Sequence, residues 1–244
     1  MILPKKLNKE PLLEALFELR FTCDFPASTI LPGLLFSKLD GDKRIEQLHA
    51  AQIPLEIRNS DPNLQFSPVS RLVWENFHIN IGDRNISISC QFPNYPGWFK
   101  FKEAIEKIIG ILINTNVITS VNRYSIKYVN LIPSDDLEEQ ISFVNLDITI
   151  ANREVLKESF QFRIEIYEDN LVNVISVMSS AETLSPDGSI KKGIVVDIDT
   201  IALVNNEPLD MVLNNLEKTR LINKKIFFDC LTEQTIKLLE PIYE

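Results

Sequence analysis

The chemistry open to this chain of 244 residues rests first on two carboxylates, Asp197 and Asp199, in the string GIVVDIDTIAL. Residues two apart on a strand project to the same side, so the pair could share a divalent metal ion. Apolarity continues through Ile201, Ala202 and Leu203, which puts both carboxylates inside a strand. That favours a solvated sheet face, or pairing with Lys or Arg, over a metal centre. No cofactor is expected, and a divalent ion at Asp197 and Asp199 is the one exception the sequence admits.

A second constellation is basic. Arg123, Ser125 and Lys127 alternate with Tyr124, Ile126 and Tyr128, so a strand there carries cations on one face and aromatics on the reverse. Such a face could meet a phosphate or an acidic partner. Its more ordinary use is to pair with Glu14, Glu18 or the acids of another strand, since antiparallel sheets set opposite charges across from each other. The two histidines add little: His49 lies in a polar link, and His78 follows Asn76 and precedes Asn80. Cys23, Cys90 and Cys230 are far apart and lack a C-x-x-C spacing, so they read as buried free thiols. No nucleophile elbow, dinucleotide fingerprint or Walker loop is present, and the 7 glycines leave little to build a phosphate-cradling loop. The formal net charge of −9 argues against broad nucleic-acid binding, and Lys100, Lys102 and Lys107 read as a solvated helix face.

The elements that must position these residues follow from periodicity. In PLLEALFELRFTCDF, Ala15, Phe17, Leu19 and Phe21 alternate with Leu16, Glu18, Arg20 and Thr22, which predicts a strand bounded by Pro11 and Pro26. A short helix is expected over Thr29 to Lys38, then a polar stretch to Asp61. Strand candidates follow in LQFSP, RLVWENFHINIG and NISISCQF; the second carries Leu72, Trp74, Asn76 and His78 on one face and Val73, Phe77 and Ile79 on the other. Gly82 to Asn85 form the turn into the third. GWFKFKEAIEKIIGILINT is a helix whose buried face is Phe101, Ala104, Ile105, Ile108, Ile109 and Leu112. A strand then runs to Pro133. The order strand, helix, strand, strand, helix, strand is that of a ferredoxin-like sandwich (βαββαβ), in which the first and last strands are taken to flank each other only through the third.

Past the acidic link Ser134 to Gln140, four strands are expected in ISFVNLDITI, ESFQFRIEIY, LVNVISVMSS and KGIVVDIDTIALV, with turns at Glu168 to Asn170 and Ser185 to Ser189. A long helix near Pro208 buries Leu209, Val212, Leu213, Leu216, Ile222, Ile226 and Phe227, and a second piece spans Thr232 to Leu239. The fold class is α+β with antiparallel sheets: residues 1–133 form the ferredoxin-like half, and 134–244 a four-stranded antiparallel layer followed by a long carboxy-terminal helix. The two could also be one continuous domain.

Two strings together resemble a known family. PLLEALFELRF is similar to a P-L-x-E-A-x-F-x-x-R-F opening, and RYSIKYVNLI to a central R-x-x-x-[RK]-Y-x-N-x-I strand, of a sporadically distributed, uncharacterised family of bacterial proteins of about this length. The late DIDT and TEQTIKLLEP are compatible with it. The resemblance implies no activity and no catalytic residues; its patchy occurrence suits defence or toxin-antitoxin genes. It makes Glu14, Arg20, Arg123, Tyr128 and Asn130 candidates for one polar cluster. DIDT also resembles the first motif of haloacid-dehalogenase-like phosphotransferases, but that motif opens a parallel α/β domain, whereas here it follows antiparallel-looking strands.

The leading expectation is a cytoplasmic, non-enzymatic subunit that binds a protein partner or itself. No run approaches the roughly 18 to 20 apolar residues a bilayer span requires, so no membrane partner is expected. The alternative is a nucleic-acid- or nucleotide-binding protein, such as a nuclease subunit, using Arg123, Lys127 and the Asp197/Asp199 pair; the candidate binding residues as a group are Arg20, Arg123, Lys127, Tyr128 and Asn130. A metal-dependent phosphohydrolase at Asp197 and Asp199 ranks third.

Overall fold

A computed structural model describes residues 2–154, 158–184 and 188–243. Its first half holds β1 (Lys6–Leu7), β2 (Leu12–Thr22), α1 (Leu31–Lys38), β3 (Lys43–Gln47), α2 (Leu55–Ser60), β4 (Ser70–Trp74), β5 (Phe77–Ile81), β6 (Asn85–Gln91), α3 (Trp98–Ile113) and β7 (Ser120–Pro133). The second holds α4 (Leu137–Ser142), β8 (Thr149–Ile150), β9 (Arg153–Glu154), β10 (Gln161–Glu168), β11 (Leu171–Leu184), β12 (Ile190–Glu207), α5 (Asp210–Cys230), α6 (Glu233–Leu238) and β13 (Pro241–Ile242). The fold is mixed α+β. The main sheet has nine strands in the order β10-β11-β12-β7-β2-β6-β5-β4-β3, and β1-β13 and β8-β9 form two-stranded sheets. Among the described residues no helix is long and apolar enough to cross a membrane.

Contacts cluster into two compact units, each drawn from separated stretches of chain. One comprises Met1–Glu14, Lys127–Thr200 and Lys218–Glu244; the other comprises Ala15–Ile126 and Ile201–Glu217.

In the second of these, the alternation of β2 buries Ala15, Phe17, Leu19 and Phe21, and leaves Leu16, Glu18 and Arg20 half-buried on the reverse. α3 buries the six residues its periodicity picks out: Phe101, Ala104, Ile105, Ile108, Ile109 and Leu112. The expected strand over RLVWENFHINIG is instead two strands. Glu75 takes a left-handed φ of 51°, and β4 folds back onto β5 with Leu72 opposite Ile79 and Trp74 opposite Phe77. Leu72, Trp74, Phe77 and Ile79 therefore share a face, and the two-face assignment across Asn76 and His78 is wrong. The turn falls on the polar pair Glu75 and Asn76, and it is held by the Glu75 N–H donating to the Asp42 carbonyl at 3.1 Å. LQFSP forms no strand, and the polar stretch before Asp61 contains β3 and α2. β5 and β6 are joined at Gly82 to Asn85 as expected, with the Gly82 N–H donating to the Asn85 carbonyl at 3.0 Å.

That turn rests on a buried ion pair. Arg58 Nε lies 2.8 Å from Asp83 Oδ2, with side-chain exposures of 9% and 4%. Arg58 also donates to the carbonyls of Ala50 and Ile53, and Ser28 Oγ to Asp83 Oδ1 at 2.5 Å.

In the other unit, the core gathers Ile132, Phe143, Val144, Ile175, Val177, Ile194, Val196, Ile198, Phe227, Phe228 and Leu231. ISFVNLDITI is a strand only at its last two residues (β8), and the acidic link before it leads into α4. Asp136 caps α4 by accepting from the Glu139 N–H at 2.8 Å, and Glu138 and Glu139 in the first turn suit the positive end of the helix dipole. β10 and β11 form a hairpin closed at Asp169–Asn170, and the turn expected at Ser185 to Ser189 lies partly outside the described residues. On α5, Leu213, Ile222 and Ile226 are only half-buried. The buried line includes two polar residues, Thr219 and Asn223, and Asn223 donates to the Ile198 carbonyl at 2.9 Å.

Candidate functional site

A cleft of about 450 Å3 opens among Arg20, Phe21, Thr22, Cys23, Phe66, Arg84, Asn122 and Arg123. The sheet order places β7 directly beside β2, which corrects the expectation that the first and last strands meet only through a third. Arg20 lies on the half-buried face of β2, Arg123 on β7, and Arg84 in the turn that Asp83 anchors.

The electrostatics follow from a shortage of acid. Glu18 Oε2 accepts from Arg20 Nε at 3.1 Å and from Arg123 Nη2 at 3.0 Å, so one carboxylate serves two guanidinium groups. The Arg20 guanidinium also lies over the Phe66 ring, 4.1 Å from its centroid, an arrangement that holds the cation flat against the wall. Arg123 Nε is buried without a hydrogen-bond partner. Arg84 is exposed and pairs with no carboxylate among the described residues. Three guanidinium groups line the cleft and two of them share the Glu18 carboxylate, which leaves the cleft net positive even with Asp24 within electrostatic reach of its Cys23 wall. Thr22 Oγ1, donating to Asn122 Oδ1 at 3.1 Å, and the Cys23 thiol complete the wall. Burial pushes the Cys23 thiol up, against smaller lowering by a backbone hydrogen bond and Arg84, so it is protonated at neutral pH. It donates to the Asp83 carbonyl at 3.4 Å.

The other sequence candidates lie in the other compact unit. Lys127 Nζ is 2.8 Å from Asp197 Oδ2, which joins a cation of the basic strand to a carboxylate of the metal candidate. Tyr128 accepts from Arg220 Nε at 3.0 Å beneath the same guanidinium, and Asn130 donates to the Val196 carbonyl at 3.4 Å. Among the described residues no group of three or more His, Cys, Asp or Glu is placed to hold a metal ion, so Asp197 and Asp199 gain no third protein ligand of those types. Of the polar cluster expected of Glu14, Arg20, Arg123, Tyr128 and Asn130, Arg20 and Arg123 share a contact, through Glu18, while Tyr128 meets Arg220 and Asn130 the Val196 carbonyl. Sequence reasoning missed Arg84, Phe66 and Asn122; Arg84 stood in a recognised turn, but nothing local shows what that turn faces.

No protein-family model matches the chain, and no curated protein matches it.

Proposed function

We propose that the protein is a non-enzymatic binding subunit that captures a nucleotide or a nucleic-acid terminus by its phosphate in the Arg20–Arg84–Arg123 cleft. The observation that carries this reading is the excess of guanidinium over carboxylate in a cleft of ligand size. Guanidinium forks suit phosphate oxygens, and the unused Arg123 Nε and the unpaired Arg84 are donors in waiting. The net charge of −9 repels a long polyanion, which is why a terminal phosphate or mononucleotide fits better than a length of duplex. The order β7-β2-β6-β5, with α1 after β2 and α3 after β6, supports a ferredoxin-like reading of this part of the sheet, which sets Arg20 beside Arg123. The motif resemblance adds a bacterial defence setting.

The test is fluorescence anisotropy with labelled ADP and a labelled 5′-phosphorylated oligothymidine at several salt concentrations. Arg84→Ala is expected to weaken binding about tenfold and to lower the salt slope by about one, because it removes a phosphate-facing guanidinium and keeps the Arg84 carbonyl that accepts from the Phe21 N–H. Indifference of both probes to Arg84→Ala and Arg123→Ala would remove the cleft from consideration.

A second reading, the assembly subunit, is favoured by β10, the terminal strand of the nine-stranded sheet. An open edge is a template for another strand. Antiparallel self-pairing centred on Ile164 would set Arg163 opposite Glu165 twice and Phe162 opposite Ile166, so the edge is self-complementary in charge and in apolar surface. Within one chain Arg163 Nη2 already lies 2.7 Å from Glu165, which shows both groups on one exposed face. In multi-angle light scattering, Glu165→Arg is expected to shift the protein toward monomer and Arg163→Glu/Glu165→Arg to restore the dimer. A monomer at all concentrations for the natural chain contradicts this reading.

A further inference from the structure

We infer that a groove between the β10–β11 hairpin and α5 is a binding site for a small, neutral, apolar molecule carrying a primary-amide or lactam edge. It shares no lining residue with the arginine cleft and does not depend on it. The groove encloses about 480 Å3. Strand register builds its floor: Phe162 stands opposite Val177, Ile164 opposite Ile175, and Ile166 opposite Asn173, so an apolar row ends in one amide. Asn173 is fully buried, at 0% exposure, and neither Nδ2 nor Oδ1 has a hydrogen-bond partner.

Burying an amide without partners is costly, and native proteins seldom leave both ends of one unmet. The missing complement is a donor and an acceptor presented side by side. A primary amide or a lactam has that edge. A trans peptide does not, because its N–H and C=O, though coplanar, point to opposite sides of the C–N bond, so an extended peptide backbone fits the site less well. Charge at the mouth selects further. Lys225 and Asp229 are paired at 2.6 Å, which leaves Glu168 as the unbalanced lining charge, and a carboxylate ligand is disfavoured.

Cys230 lines the same groove and reports on it. Its thiol, pushed up to about 11 chiefly by burial and secondarily by the Asp229 charge, reacts slowly at neutral pH.

The test titrates the intact protein with octanamide and with caprolactam, following the side-chain amide resonance that disappears in Asn173→Leu, and iodoacetamide alkylation of Cys230 at pH 9. Expected are saturable shifts of that resonance, slowed alkylation, and binding of N,N-dimethyloctanamide, which lacks the N–H, weaker by about tenfold. In Asn173→Leu, octanamide should lose its advantage over the dimethyl compound. Equal binding of the two octanamides to the natural protein overturns the inference, as does failure of both octanamide and caprolactam to saturate. In those outcomes a resident water meets the Asn173 amide. The comparison of the two octanamides on the natural chain decides the matter even where Asn173→Leu does not fold.

Discussion

Asp83→Asn is expected to lower the unfolding free energy by about 3–5 kcal/mol, because it strands the Arg58 guanidinium in the interior without its counter-charge. Few positions carry so many dependents. Both Asp83 oxygens meet Arg58, at 2.8 and 3.3 Å, and the Asp83 carbonyl accepts from the Ala27 N–H at 2.9 Å and from the Cys23 thiol. Urea denaturation measures the loss. Arg58→Met/Asp83→Leu is expected to recover most of it, since removing both charges also removes the cost of burying them. A loss under about 1 kcal/mol in Asp83→Asn would mean that water reaches the pair. The variant also links stability to binding, since Arg84 follows Asp83 in the same turn and its place in the cleft depends on that anchor.

Phe17→Ala is expected to cost about 3–5 kcal/mol, while Leu16→Ala, one residue away, costs markedly less. Phe17 is fully buried and Leu16 only half-buried, because a strand sends neighbours to opposite faces. The contrast tests the strand alternation of the segment from Pro11 to Phe25 against the helical spacing that Leu12, Leu16 and Leu19 also satisfy. A helical stripe of Leu12, Leu16 and Leu19 would make Leu16 the costlier loss and Phe17 the cheaper one. Equilibrium denaturation of the two variants side by side distinguishes these outcomes.

Periodicity is a local property, and the elements it governs were legible. The alternation of Ala15, Phe17, Leu19 and Phe21 made β2 a strand, and the spacing of three and four from Phe101 to Leu112 made α3 a helix buried on the face it indicated. The turns at Gly82 to Asn85 and at Asp169–Asn170 were legible too, because residues that tolerate tight backbone bends cluster there. Where local signals competed, the reading failed. At Asp136 a capping carboxylate starts a helix that runs into the strand-like pattern of ISFVNLDITI, and at Glu75 and Asn76 the chain turns inside RLVWENFHINIG.

The candidate site divides in the same way. Sequence alone determined that Arg123 and Lys127 sit on one strand and that acids stood available to pair with them. Only the tertiary structure decided which acid each cation met: Glu18 for Arg123 and Asp197 for Lys127. It also decided that Arg20 and Arg84 share a cleft, that Arg58 is buried against Asp83, and that Asn173 is shut away without a partner. The physical reason is that a side chain's face is fixed by its own backbone, whereas its partner is fixed by strand order and register, which depend on residues far away in the chain.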